Sequence, residues 1–168
     1  MKIKNICDLL KQELYKSGYQ YGFYSAGKKY TPDFSMGFDA NYFNLSKTIY
    51  RIQDPSDTMT EKIGTCIDTV VVMKTILDKI NIQNKIWLIR HNTKNNNHTI
   101  LTFAAEEKLV YLELTPQSNK PWYGKELLYD NEHSFIESFK KENYTIVEIT
   151  DKIIIGDNPD SLLKYLDK

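Results

Sequence analysis

Three consecutive segments between residues 85 and 114 constrain the fold of this chain more than any other feature. Each is strongly apolar or alternates like a β-strand, and the three are residues 85–90 (KIWLIR), 98–103 (HTILTF) and 108–114 (KLVYLEL). A polar, turn-forming loop separates the first two, and a tight turn at residues 106–108 separates the last two. Because short connections of this kind join antiparallel neighbours, the pattern predicts an antiparallel meander.

Helical patterns flank these strands on both sides. Apolar residues at helical spacing predict helices over residues 4–16 and from Cys66 to Asn81, with a short helical turn that begins at Pro55. The other predicted elements are a hairpin that turns near Gly27, a helix over 133–141, a strand over 144–150 and a last helix over 159–166. Residues 34–54 fit no clean period and are interpreted as packed but irregular, and residues 116–131 as polar. The expected class is α+β with an antiparallel sheet.

Length and charge narrow the classes of function. A chain of 168 residues is expected to form one domain, residues 1–168. Lys and Arg total 22, as do Asp and Glu, so a net charge of zero argues against nucleic acid or an anionic membrane surface as a partner. Neither a signal-peptide core nor an apolar run of about 20 residues is present, so we expect a cytoplasmic protein without a membrane partner. The oligomeric state stays open.

The chain has two cysteines, too few for a disulfide scaffold or a thiolate zinc site, so both are expected as free thiols and no metal or cofactor is predicted. Cys7 lies among apolar residues of the first helix and is interpreted as a core residue. Cys66 lies in the first turn of a predicted helix, just after Gly64. There the helix dipole favours a thiolate, and unpaired backbone N–H groups could stabilise an oxyanion.

His98 and Glu113 are predicted to complete a site around Cys66. If residues 98–103 and 108–114 form a hairpin, residues whose numbers sum to about 211 to 213 lie opposite each other, which places His98 beside Glu113. An imidazole held by a carboxylate can lower the pKa of a thiol and then act as its base. The three residues therefore predict a nucleophile, a base and an orienting acid.

Several alternatives to these assignments stay open. His91 ends the preceding strand and is a second candidate for the base, while Asn97 or Thr115 could orient the ring in place of the carboxylate. Gln53 is a candidate oxyanion donor, because a side-chain amide serves well in that position. Asp68 is interpreted as an acid at the helix N-terminus that faces away from the sulfur, since a carboxylate beside it would oppose ionisation.

The segments GTCIDT, HTILTF and VYLELTP together resemble the transglutaminase-like superfamily, in which Gly-x-Cys opens a helix, His opens a strand and an acid closes the next one. Residues 62–69 (KIGTCIDT) and 53–55 (QDP) resemble in particular small bacterial proteins with KxGTCWDQ around the cysteine and Q[SD]P before it. The resemblance covers about residues 55–117. The chain departs from the family pattern at Glu113, where Asp is usual, and at Ile67 and Ile100, where aromatic residues are common.

The resemblance implies a papain-like core, in which the nucleophile helix packs on an antiparallel sheet, with the catalytic core at about residues 55–117. It also implies that Cys66, aided by His98 and Glu113, attacks an amide or ester of a peptide, a protein or a small molecule and forms a thioacyl intermediate. If water resolves that intermediate, the chain is a thiol hydrolase. If an amine resolves it, the chain is a crosslinking enzyme. A non-catalytic binding module that keeps the fold is a third possibility, which the sequence does not separate from the first two.

Overall fold

The structure is a computed structural model and describes residues 1–167. The α-helices in this part of the chain are α1 (Ile3–Leu10), α2 (Ala40–Ile49), α3 (Pro55–Glu61), α4 (Cys66–Lys79) and α5 (Glu132–Lys141). A π-helical segment, Lys11–Tyr15, continues α1, and a 3₁₀ helix spans Pro159–Asp167. The strands are β1 (Gln20–Tyr21), β2 (Phe23–Ser25), β3 (Lys28–Tyr30), β4 (Ile63–Gly64), β5 (Asn84–His91), β6 (Asn97–Ala105), β7 (Lys108–Leu112), β8 (Glu126–Tyr129) and β9 (Tyr144–Glu148).

The predicted meander forms the centre of a five-stranded antiparallel sheet with the order β8-β7-β6-β5-β9. In the β6–β7 hairpin Thr102 pairs with Tyr111 and Ala105 with Lys108, so the paired numbers sum to 213, at the upper end of the predicted range. The hairpin predicted near Gly27 is confirmed as β2–β3, and Gly27 has a φ of 78° in its turn. The α+β class with an antiparallel sheet is therefore confirmed.

Helices cover both faces of this sheet, and the central strand β6 is apolar on both sides. Leu101 and Phe103 point to the face that packs against α4, in the larger apolar cluster. Ile100 points to the opposite face, where it packs with Phe135 of α5 in a second cluster. The sheet is thus the middle of three layers, and α4 lies across the strands that carry the predicted base.

The predictions for two segments are wrong in the same way, because each segment contains a helix or strand that the sequence did not indicate. Residues 34–54 contain α2, which is capped by Asp39 through its side chain and the backbone N–H of Tyr42 (2.9 Å). Its aromatic residues pack both inward and against the preceding loop, so no single apolar face shows in the sequence. Residues 116–131 contain β8, an edge strand with alternately exposed residues and little apolar patterning.

The two-residue strands β1 and β4 pair in parallel, a contact that the sequence did not predict. Tyr21 lies opposite Gly64 in this pair, which brings the segment around residue 21 beside the start of α4. No helix within residues 1–167 is both long enough and apolar enough to cross a membrane.

Candidate active site

Cys66 is the first residue of α4, a helix of 14 residues, and the preceding backbone fixes that position. Thr65 caps the helix, and its backbone N–H donates to Asp68 Oδ2 over 2.9 Å. A Cβ atom on Gly64 would lie 2.9 Å from Asp68 Cβ and 3.1 Å from Thr58 Cγ2, so only glycine fits there without displacement. The sulfur therefore lies at the positive end of the helix, beside N–H groups that have no partner within the helix.

Asp68 is fully buried beneath this turn and acts as the N-terminal acid that the sequence predicts. Its Oδ1 accepts from the backbone N–H of Gln53 (2.9 Å), and its Oδ2 also accepts from the Thr65 hydroxyl (3.2 Å). Burial raises the pKa of the Asp68 carboxyl to about 6, although these hydrogen bonds oppose the rise. Asp68 lines neither pocket beside the sulfur, which agrees with its predicted orientation.

The structure brings His98 and Glu113 into direct contact. His98 lies at the start of β6 with its side chain 30% exposed, and its Nε2 forms a hydrogen bond with Oε1 of Glu113, whose side chain is 3% exposed. Thr115 contacts the carboxylate and not the ring, because its hydroxyl donates to Glu113 Oε2 over 3.5 Å. The carboxylate thus orients the imidazole, and Thr115 supports the carboxylate.

His98 lines both pockets that contain Cys66 and interacts with its thiol, and since Nε2 is engaged by Glu113, Nδ1 is the nitrogen available to the sulfur. Burial alone would raise the pKa of the Cys66 thiol, but hydrogen bonds and the positive charge of His98 outweigh it and lower the pKa. Burial lowers the pKa of His98, whereas the charges and hydrogen bonds of Glu113 and Cys66 raise it to about 10. These opposite shifts favour the thiolate–imidazolium form of the pair.

Thr99 is a further residue at the sulfur that the sequence did not single out. It is 4% exposed, and hydrogen bonding from its backbone to Cys66 also lowers the pKa of that thiol. The Thr99 hydroxyl itself is buried without a hydrogen-bond partner in the described protein, residues 1–167. The signal that could have found it is its place on β6 directly after His98, on the sheet face that packs against α4.

Cys7 is the internal comparison for Cys66. It is buried in the core, as predicted, among residues of α1. Burial raises the pKa of its thiol to about 11, because no cationic hydrogen-bond donor compensates for the lost solvation. Two free thiols of one chain therefore have opposite pKa shifts, and the difference comes from the neighbours of Cys66.

Cys66 lies between two pockets that share four residues, Tyr21, Cys66, Asn97 and His98. The first, which we name the aromatic pocket, has a volume of about 230 Å³ and is lined by Tyr21, Tyr42, Phe43, Ser46, Tyr50, Thr65, Cys66, Ile67, Leu88, Asn97, His98, Thr99, Pro159, Asp160, Leu162 and Leu163. The second, the polar pocket, has a volume of about 220 Å³ and is lined by Tyr21, Cys66, Ile89, Asn96, Asn97, His98, Glu113, Thr115, Gln117, Ser118, Asn119, Lys120 and Tyr144. The sulfur is thus accessible from two chemically different sides.

The predicted oxyanion role of Gln53 requires correction. Gln53 lines neither pocket, and its Nε2 donates to Thr58 Oγ1 (2.8 Å) and to the carbonyl of Ile63 (3.0 Å). Its Oε1 accepts from the backbone N–H of Tyr24 over 2.7 Å. The buried amide is fully used in tying three segments together, so it has no hydrogen left for a substrate oxygen.

The alternative base, His91, lies at the end of β5 and outside both pockets, with its ring edge-to-face against Tyr144 at 5.0 Å.

Within residues 1–167 no group of three or more His, Cys, Asp or Glu residues is arranged to hold a metal ion.

No protein-family model matches this chain, and no curated protein is significantly similar to it in sequence.

Proposed function

We propose that this protein is a cysteine-dependent acyl-transfer enzyme, and specifically a thiol hydrolase that cleaves amides through a thioacyl intermediate. The observation that carries the proposal is the grouping of Cys66 and His98 in shared pockets at a helix N-terminus, with Glu113 buried behind the ring. A low thiol pKa, a base in contact and an orienting carboxylate are the requirements of nucleophilic catalysis by cysteine.

The reaction would begin when the Cys66 thiolate attacks the carbonyl carbon, which moves an electron pair onto the carbonyl oxygen. The free N–H groups at the start of α4 would stabilise that negative charge. His98 would then donate its proton to the leaving amine as the C–N bond breaks, which leaves a thioester on Cys66. In the second half, neutral His98 would take a proton from water, which attacks the thioester and releases the acid and the thiolate.

Two observations favour hydrolysis over the alternatives. The polar pocket opens directly onto Cys66 and His98, so water can reach the thioester, whereas transfer to an amine needs water to be excluded. A binding module has no need of a cysteine with a lowered thiol pKa beside a histidine in the same pockets, and such perturbed groups concentrate at catalytic sites.

Membership of the transglutaminase-like superfamily, with its papain-like core, is part of this proposal. In its support, the cysteine opens a helix that packs against the sheet, the histidine lies at the start of a strand, and the acid directly follows the next strand. Placement in the cytoplasm stays a prediction.

Selective alkylation tests the proposal. The protein is treated with iodoacetamide at pH 6, where a thiol with the ordinary pKa of 9.0 is only about one-thousandth ionised, and the label is located by mass spectrometry. Cys66 is expected to react at least about tenfold faster than Cys7, since a lowered pKa increases the thiolate fraction more than it reduces nucleophilicity. His98→Ala should abolish this advantage, and the matched control His91→Ala should keep it.

Turnover is measured with 4-nitrophenyl acetate, from which release of more than one equivalent of 4-nitrophenol per protein indicates deacylation by water. Equal, slow labelling of both cysteines, or an advantage of Cys66 that survives His98→Ala, would contradict the proposed nucleophile and base. A single equivalent without turnover would contradict hydrolysis.

A further inference from the structure

We propose that the substrate is a peptide cleaved after an aromatic or branched aliphatic residue, with polar residues on the leaving side of the bond. This inference rests on the proposed function, since it assigns one side of the substrate to each of the two pockets beside Cys66. It is carried by the chemical difference between those pockets.

The aromatic pocket suits one apolar side chain. Its walls carry four aromatic rings and several aliphatic side chains, together with the carboxylate of Asp160 and a minority of uncharged polar residues. Its volume of about 230 Å³ has room for a benzyl or isobutyl group but not for a long lipid chain. An apolar group that displaces water from this pocket is favoured by the hydrophobic effect.

The polar pocket suits a peptide backbone with polar side chains. Its uncharged polar side chains include four amides, from Asn96, Asn97, Gln117 and Asn119, together with the hydroxyls of Thr115 and Ser118. A side-chain amide offers both donors and an acceptor, which matches the N–H and C=O of a peptide group. Lys120 adds a cation at the same pocket, so a polar or acidic residue fits there better than an apolar one.

The chemistry at the sulfur decides which pocket receives the acyl side. The aromatic pocket contains the start of α4, Thr65 to Ile67, where the carbonyl oxygen would bind. The polar pocket contains both His98 and Glu113, and the leaving amine must collect its proton from that histidine. The acyl residue therefore occupies the aromatic pocket, and the amine leaves through the polar one.

Apolar surface also continues outward from the aromatic pocket. Phe43, in the pocket wall, stacks on Phe38 with ring centroids 4.9 Å apart, and Phe38 is 73% exposed. Met36, two residues before it, is 95% exposed. Exposed apolar residues that adjoin a cleft are typical of a binding surface, so the substrate is expected to extend beyond the single acyl residue.

The acyl side is tested with 4-nitrophenyl esters of N-acetylphenylalanine, N-acetylleucine and N-acetylglycine, which share one leaving group. The rate at which each acylates Cys66 is followed by nitrophenol release and by the mass of the thioester. Burial of the side chain is expected to make the phenylalanine and leucine esters roughly 10- to 100-fold faster than the glycine ester.

A matched pair of variants on α2 shows whether the aromatic pocket causes this preference. Ser46 lines the pocket and Thr48 is exposed on the same helix, so Ser46→Phe fills the pocket while Thr48→Phe adds the same ring outside it. Ser46→Phe is expected to remove the preference for the larger acyl groups, so that the phenylalanine and leucine esters react no faster than the glycine ester. Thr48→Phe should change neither rate.

The leaving side is tested with N-acetylphenylalanyl-serine amide and N-acetylphenylalanyl-leucine amide, of which the serine peptide should be cleaved faster. Equal acylation of Cys66 by all three esters would overturn the inference while the proposed function stands. A faster leucine peptide, or cleavage of neither peptide, would overturn the leaving-side assignment or the peptide class. If no ester acylates Cys66, the proposed function itself falls.

Discussion

The buried carboxyl of Asp68 should give the stability of this protein a distinctive dependence on pH. Its pKa is about 6 in the folded protein, against an ordinary value of 3.8. The folded state therefore binds the proton more tightly than the unfolded chain, so this stabilisation is complete below about pH 4 and is lost as pH rises through about 6. A difference of about two pKa units, at about 1.36 kcal/mol each, makes the loss about 3 kcal/mol.

The perturbation that isolates this effect is Asp68→Asn, because asparagine keeps the size of the side chain and cannot ionise. The free energy of unfolding is measured by urea titration at intervals from pH 4 to pH 8 for the parent protein and the variant. Asparagine turns an N–H group towards the donors around Thr65, so the variant should be less stable at pH 4, by about 1–3 kcal/mol. Because the parent loses about 3 kcal/mol by pH 7 and the variant does not, the gap should close or reverse by that pH.

Asp54 provides a control of opposite sign. It caps α3 at the surface, where hydrogen bonds from the side chain and backbone of Ser56 lower its pKa. Its stabilising contribution is therefore present above the unfolded pKa and lost as pH falls, so in titrations extended down to about pH 2 the gap between parent and Asp54→Asn should widen as pH rises towards about 5. A gap for Asp68→Asn that stays constant, or widens with pH, would refute the view that burial dominates this carboxyl.

Three further substitutions test the site. Glu113→Gln removes the charge that raises the pKa of His98. The imidazole titration followed by NMR, expected near pH 10 in the parent, should therefore move to lower pH. An unchanged titration would exclude the carboxylate as the cause of the raised pKa. Gly64→Ala should destabilise the fold by about 1–3 kcal/mol in urea and slow the alkylation of Cys66, because the new methyl group meets the buried aspartate at 2.9 Å. Gln53→Ala should lower the free energy of unfolding in urea by about 2–4 kcal/mol, because its buried hydrogen bonds are lost. The rate of Cys66 alkylation in the folded variant should not change. A slower alkylation would indicate that Gln53 acts directly at the sulfur.

The central sheet and the contact between His98 and Glu113 could be predicted because both depend on local rules. Side-chain alternation gave the strands, and the short β6–β7 turn fixed their register to within two residues. The position of Cys66 at the start of a helix could also be predicted, since Gly64, Thr65 and Asp68 form a local capping pattern.

The rest of the site depends on contacts that no local pattern encodes. Tyr21 reaches the sulfur through a parallel pairing of two residues with β4, which is too short to leave a periodic signal. Gln53 has the chemistry of an oxyanion donor, and only its three buried partners show that it is already occupied. Helix α2 was missed because its apolar residues serve two surfaces, the core and the outer loop, and so follow no single period.

The aromatic pocket takes part of its wall from α2 and from the 3₁₀ helix at Pro159–Asp167, both of which lie outside residues 55–117. Under the proposed function, the residues that react with the substrate and several of those that select it would therefore lie in separate stretches of the chain. A protein engineer could then exchange the two flanking helices for others of similar length to change which amides are accepted, without altering Cys66, His98 or Glu113. Natural selection has the same freedom, so diversification of this scaffold should accumulate in those flanks.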